Sequence, residues 1–207
     1  MNPIVFLIDD DPSILSALSR LLAVRGFETR AFSSPTEFLA AHDPDVPGCA
    51  VVDVSMPGLN GLDLQIALKD SEGRSRPVVF ITGRGDIPTS VRAMKEGAVD
   101  FLTKPIDEDA LFTAISSAIG KDLSSRNARL ELDDATSRYR LLTAREREVL
   151  SYVIAGLLNK QIAADIGIAE KTVKLHRGRV MAKMKVRSLA ELVRLADRLG
   201  LQPSQRP

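Results

Sequence analysis

A single cysteine, Cys49, stands in a chain of 207 residues. That excludes an internal disulfide framework and fits a reducing compartment. Long hydrophobic runs are missing too: no stretch approaches the ~20 apolar residues that span a bilayer. The opening run 4–8 is too short for the core of a signal peptide and leads straight into three aspartates. Neither sign of charge is in excess, with 28 Lys+Arg against 27 Asp+Glu, so net charge by itself points to no partner. There is no glycine-rich Walker loop, no GxSxG elbow and no zinc-ligand spacing, and the two histidines, His42 and His176, are far apart. What is present is a 44% hydrophobic composition, enough for a core and against wholesale disorder. At about 100–200 residues per domain, the length suits one large domain or two small ones. The expectation is a soluble cytoplasmic protein with no membrane partner.

The balance of charge conceals an asymmetry. Residues 1–120 are net −7, residues 121–140 net +1 and residues 141–207 net +7. An acidic front and a basic back read as two domains with different partners. A basic unit of this size is a candidate for nucleic acid, whereas evenly spread charge would read as a solvated surface.

The first 120 residues alternate strand and helix. The continuous apolar run 4–8 suits a strand buried on both faces of a parallel sheet. Pro12 fits the first turn of a helix, Ile14, Leu15, Leu18, Leu21 and Leu22 follow at helical spacing, and Gly26 ends it. Further strands are expected over 27–32, 49–52, 77–82 and 98–102. Helices are expected over 35–41, 62–68, 87–96 and 108–119. Five βα units in succession imply an α/β, doubly wound, five-stranded parallel sheet.

Such a sheet binds ligands at the carboxyl ends of its strands. Strand one ends in Asp9, Asp10 and Asp11, strand three in Asp53 and strand four in Thr82, and Lys104-Pro105 follows strand five. Clustered carboxylates repel unless a cation or proton intervenes, and a hard ion such as Mg²⁺ suits them. A carboxylate is itself a nucleophile toward phosphorus, and Asp53, alone at its strand end, is best placed for that role. The ion and Lys104 would offset charge on the transferring oxygens, and the Thr82 hydroxyl could hydrogen-bond one of them. Taken singly, each residue has a plainer use: Asp9 to Asp11 as helix caps, Lys104 on the surface, Phe101 in the core. A phosphohydrolase with an aspartate nucleophile needs a second acid two residues on as proton donor, and position 55 is Ser. Arg84-Gly85-Asp86 spells an adhesion tripeptide, a coincidence in a cytoplasmic protein.

The segments VFLIDDDPS, VVDVSMPGLNGLDL, VVFITGRGD and AMKEGAVDFLTKP together resemble the receiver domain of bacterial two-component response regulators. The resemblance implies Asp53 as phosphoacceptor. It implies Asp9, Asp10, Asp53 and the Ser55 backbone carbonyl as ligands of Mg²⁺ or Mn²⁺. Thr82 and Phe101 would be the switch pair, Lys104 the phosphate-pairing lysine, and the Lys104–Pro105 bond cis.

Residues 121–140 lack Gly and Pro and are rich in charge. They read as a linker, either a helical spacer extending the fifth helix or a flexible tether. From Leu142 helical patterning returns. Thr143 and Glu146 form a capping box, Asn159 is expected to cap a second helix, Gly167 breaks it, residues 169–172 open a third, and Ser188 caps a fourth. Two short helices around a glycine turn read as helix-turn-helix, and the second carries a cationic face. The stretch from LTAREREVL to AELVRLA resembles the LuxR-type DNA-binding domain, assigned to residues 141–207. With the receiver it is similar to the NarL/FixJ family, FixJ-like members above all. The resemblance puts Lys174, Leu175 and Gly178 in the base-facing stretch. Gly178 is a departure, having no side chain, and Arg177 or Arg179 would substitute. Lys160, Thr172 and Lys183 would face phosphates, and Lys171 would be a further DNA-binding residue.

Joined, the halves imply that a sensor histidine kinase phosphorylates Asp53. Thr82 and Phe101 then repack helix 87–96, and a face including Val91, Met94 and Lys95 forms a homodimer. Two recognition helices would then meet double-stranded promoter DNA about one helical turn apart. A non-enzymatic regulator that binds DNA without phosphorylation stays open as the alternative.

Overall fold

The computed structural model describes residues 2–69, 75–83 and 87–204. Arg84, Gly85 and Asp86 therefore lie outside the described residues. The chain divides into two compact units, Met1–Arg126 and Asn127–Pro207.

In the first unit a five-stranded sheet runs in the order β2-β1-β3-β4-β5, with every neighbouring pair parallel. The strands are β1 Ile4–Ile8, β2 Glu28–Phe32, β3 Gly48–Asp53, β4 Val78–Thr82 and β5 Asp100–Thr103. Every residue of β1, β3 and β4 is buried, which is why each reads as an apolar run, closed in β3 by Asp53 and in β4 by Thr82. Their side chains alternate between two cores. Phe6, Val52 and Phe80 join Phe38 on one face, and Leu7, Val51 and Ile81 join Leu22 and Ile115 on the other. The flanking helices are α1 Pro12–Val24, α2 Pro35–Ala41, α3 Gly61–Ala67, α4 Ile87–Lys95 and α5 Glu108–Arg140.

Most element ends fall within a residue or two of the sequence expectation, as ends fray. At β5 the cause is specific: Ala98 N–H bonds back to Ala93 O, so the exit from α4 delays the strand until Asp100. α5, expected over 108–119, is the element whose continuation through 121–140, as helical spacer or flexible tether, the sequence leaves open. It runs 33 residues as one helix, so residues 121–140 are helical. Early in that extension, Asp122 and Arg126 are tied down by long-range bonds. Asp122 Oδ2 accepts from Gly48 N–H at 2.8 Å and from Arg126 Nε at 2.7 Å. Arg126 also donates to the carbonyls of Pro44, Asp45 and Val46. Arg76 lies in the same layer, donating to Asp43 and Val46 carbonyls, with its guanidinium over the Phe6 ring.

The second unit packs α6 Ala144–Ile154, α7 Asn159–Ile166, α8 Glu170–Met184 and α9 Leu189–Arg198 around one core. Val149, Leu150, Val153, Ile162, Val173, Val180, Met184 and Leu192 form its centre, and Tyr139 and Tyr152 pack against it. The Thr143–Glu146 capping box starts α6, and the Ser188 side chain caps α9. Asn159 does not cap α7. The cap position is Leu158, whose N–H is taken by the Gln161 side chain, while Asn159 Oδ1 accepts from Arg177. Gly167, at φ +69°, turns α7 into α8.

Candidate functional site

Parallel order brings the carboxyl ends of β1, β3 and β4 to one edge of the sheet. Asp9 and Asp53 there are 2% and 4% exposed. Lys104 Nζ bridges them, 2.9 Å from Asp9 Oδ2 and 2.8 Å from Asp53 Oδ1. Burial works against the charge on Lys104, yet its hydrogen bonds to Asp53 and Asp9 outweigh that and hold its pKa above the ordinary lysine value. The second oxygen of each carboxylate is held by backbone: Asp9 Oδ1 accepts from Asp11 N–H at 2.9 Å, Asp53 Oδ2 from Ser55 N–H at 2.6 Å. Such bonds fix each side chain so that one oxygen faces the shared cation.

The surrounding residues follow from the same local rules. Thr82 is fully buried at the end of β4, and its carbonyl accepts the Lys104 N–H at 2.7 Å, seating the lysine beside it. Lys104–Pro105 is cis. Phe101 on β5 is half-buried, its ring centroid 6.2 Å from that of Phe80. Gly61 opens α3 directly behind the site. A Cβ there would stand 2.5 Å from the Asp53 carbonyl oxygen, so only glycine lets the helix start so close to the strand end. Val91, Met94 and Lys95 are exposed on α4.

The three consecutive aspartates have separate fates. Asp9 enters the bridge and Asp10 is exposed. Asp11 is the cap of α1, accepting from the N–H and hydroxyl of Ser13, bonds that lower its pKa. As the side chains stand, no three His, Cys, Asp or Glu groups among the described residues gather to hold an ion. Lys104 draws Asp9 and Asp53 to itself, and Asp10 turns to solvent. The donor set nonetheless fits a hard cation, because every group offered is an oxygen.

In the second unit α8 presents Lys171, Lys174, Leu175, Gly178 and Arg179 to solvent, with Thr172 and Arg177 half-buried beside them. Lys160 is exposed in the first turn of α7. Lys183 behaves differently. Its Nζ donates to buried Glu146 Oε2 at 2.6 Å and to the Leu141 carbonyl at 3.2 Å, tying α8 to the start of α6. That lysine supports the fold. Sequence alone offered no signal for this pair, 37 residues apart, nor for the Asp122–Arg126 layer.

Two family models match the chain: the response regulator receiver domain over residues 5–116, and bacterial regulatory proteins of the luxR family over residues 140–196. Nodulation protein W of Bradyrhizobium diazoefficiens is 46% identical over 198 residues, covering 96% of this chain and 87% of that one. Transcriptional regulatory protein FixJ of Rhizobium meliloti is 41% identical over 201 residues, covering 97% and 98%. Among solved structures, response regulator StyR is similar with a TM-score of 0.83 at 45% identity, covering 96% of this chain and all of that one. A receiver fold with its acidic strand ends, followed by a luxR-type helical unit, makes the chain a member of the two-component response regulators that bind DNA.

Proposed function

We propose that this regulator is switched by phosphorylation of Asp53 and acts as a phosphorylation-driven dimer on promoter DNA. The observation that carries the reading is the Lys104 bridge, which holds the Asp53 carboxylate at the site edge opposite Asp9. An Asp53 carboxylate oxygen forms the new bond to phosphorus as the P–N bond to the kinase histidine breaks. Asp9, Asp10, Asp53 and the Ser55 carbonyl would hold a divalent cation, Mg²⁺ or Mn²⁺, which when bound would offset charge on the phosphoryl oxygens. Lys104, already within reach of Asp53, shifts its ion pair from the carboxylate to a phosphoryl oxygen. The Thr82 hydroxyl hydrogen-bonds another phosphoryl oxygen, and Phe101 moves into the space beside it. The exposed α4 face with Val91, Met94 and Lys95 then pairs with a second copy. Lys160, Lys171, Thr172 and Lys174 meet phosphates and base edges, together with Leu175, Arg177 and Arg179. Lys183 is left to the fold. The protein works in the cytoplasm and performs no turnover chemistry on other substrates.

Sedimentation with Mg²⁺ and beryllofluoride, an aspartyl-phosphate mimic, tests the reading. The expected result is a shift from monomer to dimer that is lost in Asp53→Asn. An unchanged wild-type distribution would overturn phosphorylation-driven dimerisation in favour of phosphorylation-independent DNA binding.

A further inference from the structure

Gly178 sits inside α8 with ordinary helical geometry, and a Cβ built on it meets nothing within 4 Å. The fold thus has no use for a glycine there. Alanine would fit without a clash and would favour the helix, because a mid-helix glycine loses more backbone freedom on folding. By contrast, Gly167 needs its positive φ and Gly61 needs its close approach to Asp53. Gly120, in α5, shares the freedom of Gly178, but Lys121 is the one exposed cation among its near neighbours, and Ser116, Ser117 and Ser124 one turn away are uncharged.

The surroundings of Gly178 are specific. Helical spacing places Lys174 and Leu175 one turn before it and Ala182 one turn after, on the same face. Leu175 is a large apolar side chain left 51% exposed. Lys171, Lys174 and Arg179 surround it with positive charge. The missing Cβ makes a notch floored by helix backbone, walled by Leu175 and the Ala182 methyl and rimmed by cations. A polyanion with a small apolar projection matches that combination. In the DNA major groove the only apolar projection from a base edge is the C5-methyl of thymine.

We propose that Gly178 is a clearance for a thymine methyl, so that α8 reads one base pair of its half-site by shape, through Leu175 and bare backbone. This rests on the DNA-binding reading above. It adds that the glycine sets sequence preference through close approach, where a longer residue would set it by hydrogen bonding.

The test begins with half-sites selected from random duplexes by the full-length protein activated with beryllofluoride. Each thymine is then replaced in turn by deoxyuracil, which removes only the methyl. The expected result is a several-fold loss of affinity at one thymine for the wild type. In Gly178→Ala, a methyl of the protein's own fills the notch: affinity for the thymine duplex falls and its advantage over the uracil duplex disappears. Circular dichroism should show Gly178→Ala at least as thermally stable as wild type, separating loss of reading from loss of fold. Equal or tighter binding by Gly178→Ala with an unchanged thymine-to-uracil ratio overturns the proposal. So does a wild type indifferent to every methyl. Failure of the wild type to retain any duplex, including bulk genomic DNA at low salt, overturns the DNA-binding reading itself.

Discussion

Lys104 faces two carboxylates that are almost wholly enclosed. Replacing it with Met strands both charges, and breaking a buried pair from one side is costly. Because the ammonium is itself partly exposed, the expected loss is about 2 kcal/mol without divalent cation, below the fully buried range. Urea unfolding checks this, and added Mg²⁺ should restore more stability to Lys104→Met than to wild type. Glu146 supplies a second test, through pH. The Lys183 hydrogen bond, then that of the Thr143 N–H, holds its carboxyl below the usual range. A folded-state pKa below the unfolded one adds stability that is present above the unfolded value, near 4.5, and is lost as pH falls through the folded one. Acid titration of Glu146→Gln should therefore show a shallower loss of stability below that range than wild type. Cys49 is fully buried, and burial pushes its thiol up to about 12. It should ignore a thiol reagent in the native protein and react only on unfolding.

At the scale of elements, the first turns of α5 beyond the sheet are held by a polar layer rather than an apolar one. Arg126→Ala removes three carbonyl partners and leaves Asp122 buried opposite Gly48 N–H without its ion pair. The expected cost is about 2–4 kcal/mol, with faster amide exchange in the loop 42–47 and around residue 122. Unchanged exchange there would show that the layer is incidental to the helix. The contrast with the strands explains what sequence reveals. β1, β3 and β4 were legible because burial on both faces writes itself as consecutive apolar residues. The acidic strand ends were legible because they directly follow those runs. The Asp122–Arg126 layer and the Lys183–Glu146 pair were not, since their partners lie tens of residues away and a charged residue looks the same whether solvated or paired. The aspartate run shows the limit locally: Pro12 marks Asp11 as the cap, but nothing in the sequence separates the buried Asp9 from the exposed Asp10.

The whole molecule is two compact units with one helix, α5, belonging to both. Separate cores predict two unfolding transitions in calorimetry. Beryllofluoride with Mg²⁺ should raise only the receiver transition, by about 2.7 kcal/mol at a hundredfold excess over its dissociation constant. On the DNA side, Lys160→Ala should weaken binding evenly across sequences and flatten the log–log salt slope by about 0.9. The aromatic residues divide along the same line as the cores. All seven phenylalanines lie before residue 113, both tyrosines, Tyr139 and Tyr152, lie beyond 138, and tryptophan is absent. Light absorbed by tyrosine therefore excites the DNA-binding unit alone, while the receiver is spectroscopically dark at that wavelength. Any change in tyrosine emission when Asp53 is modified is a message received at the other unit, readable without a label.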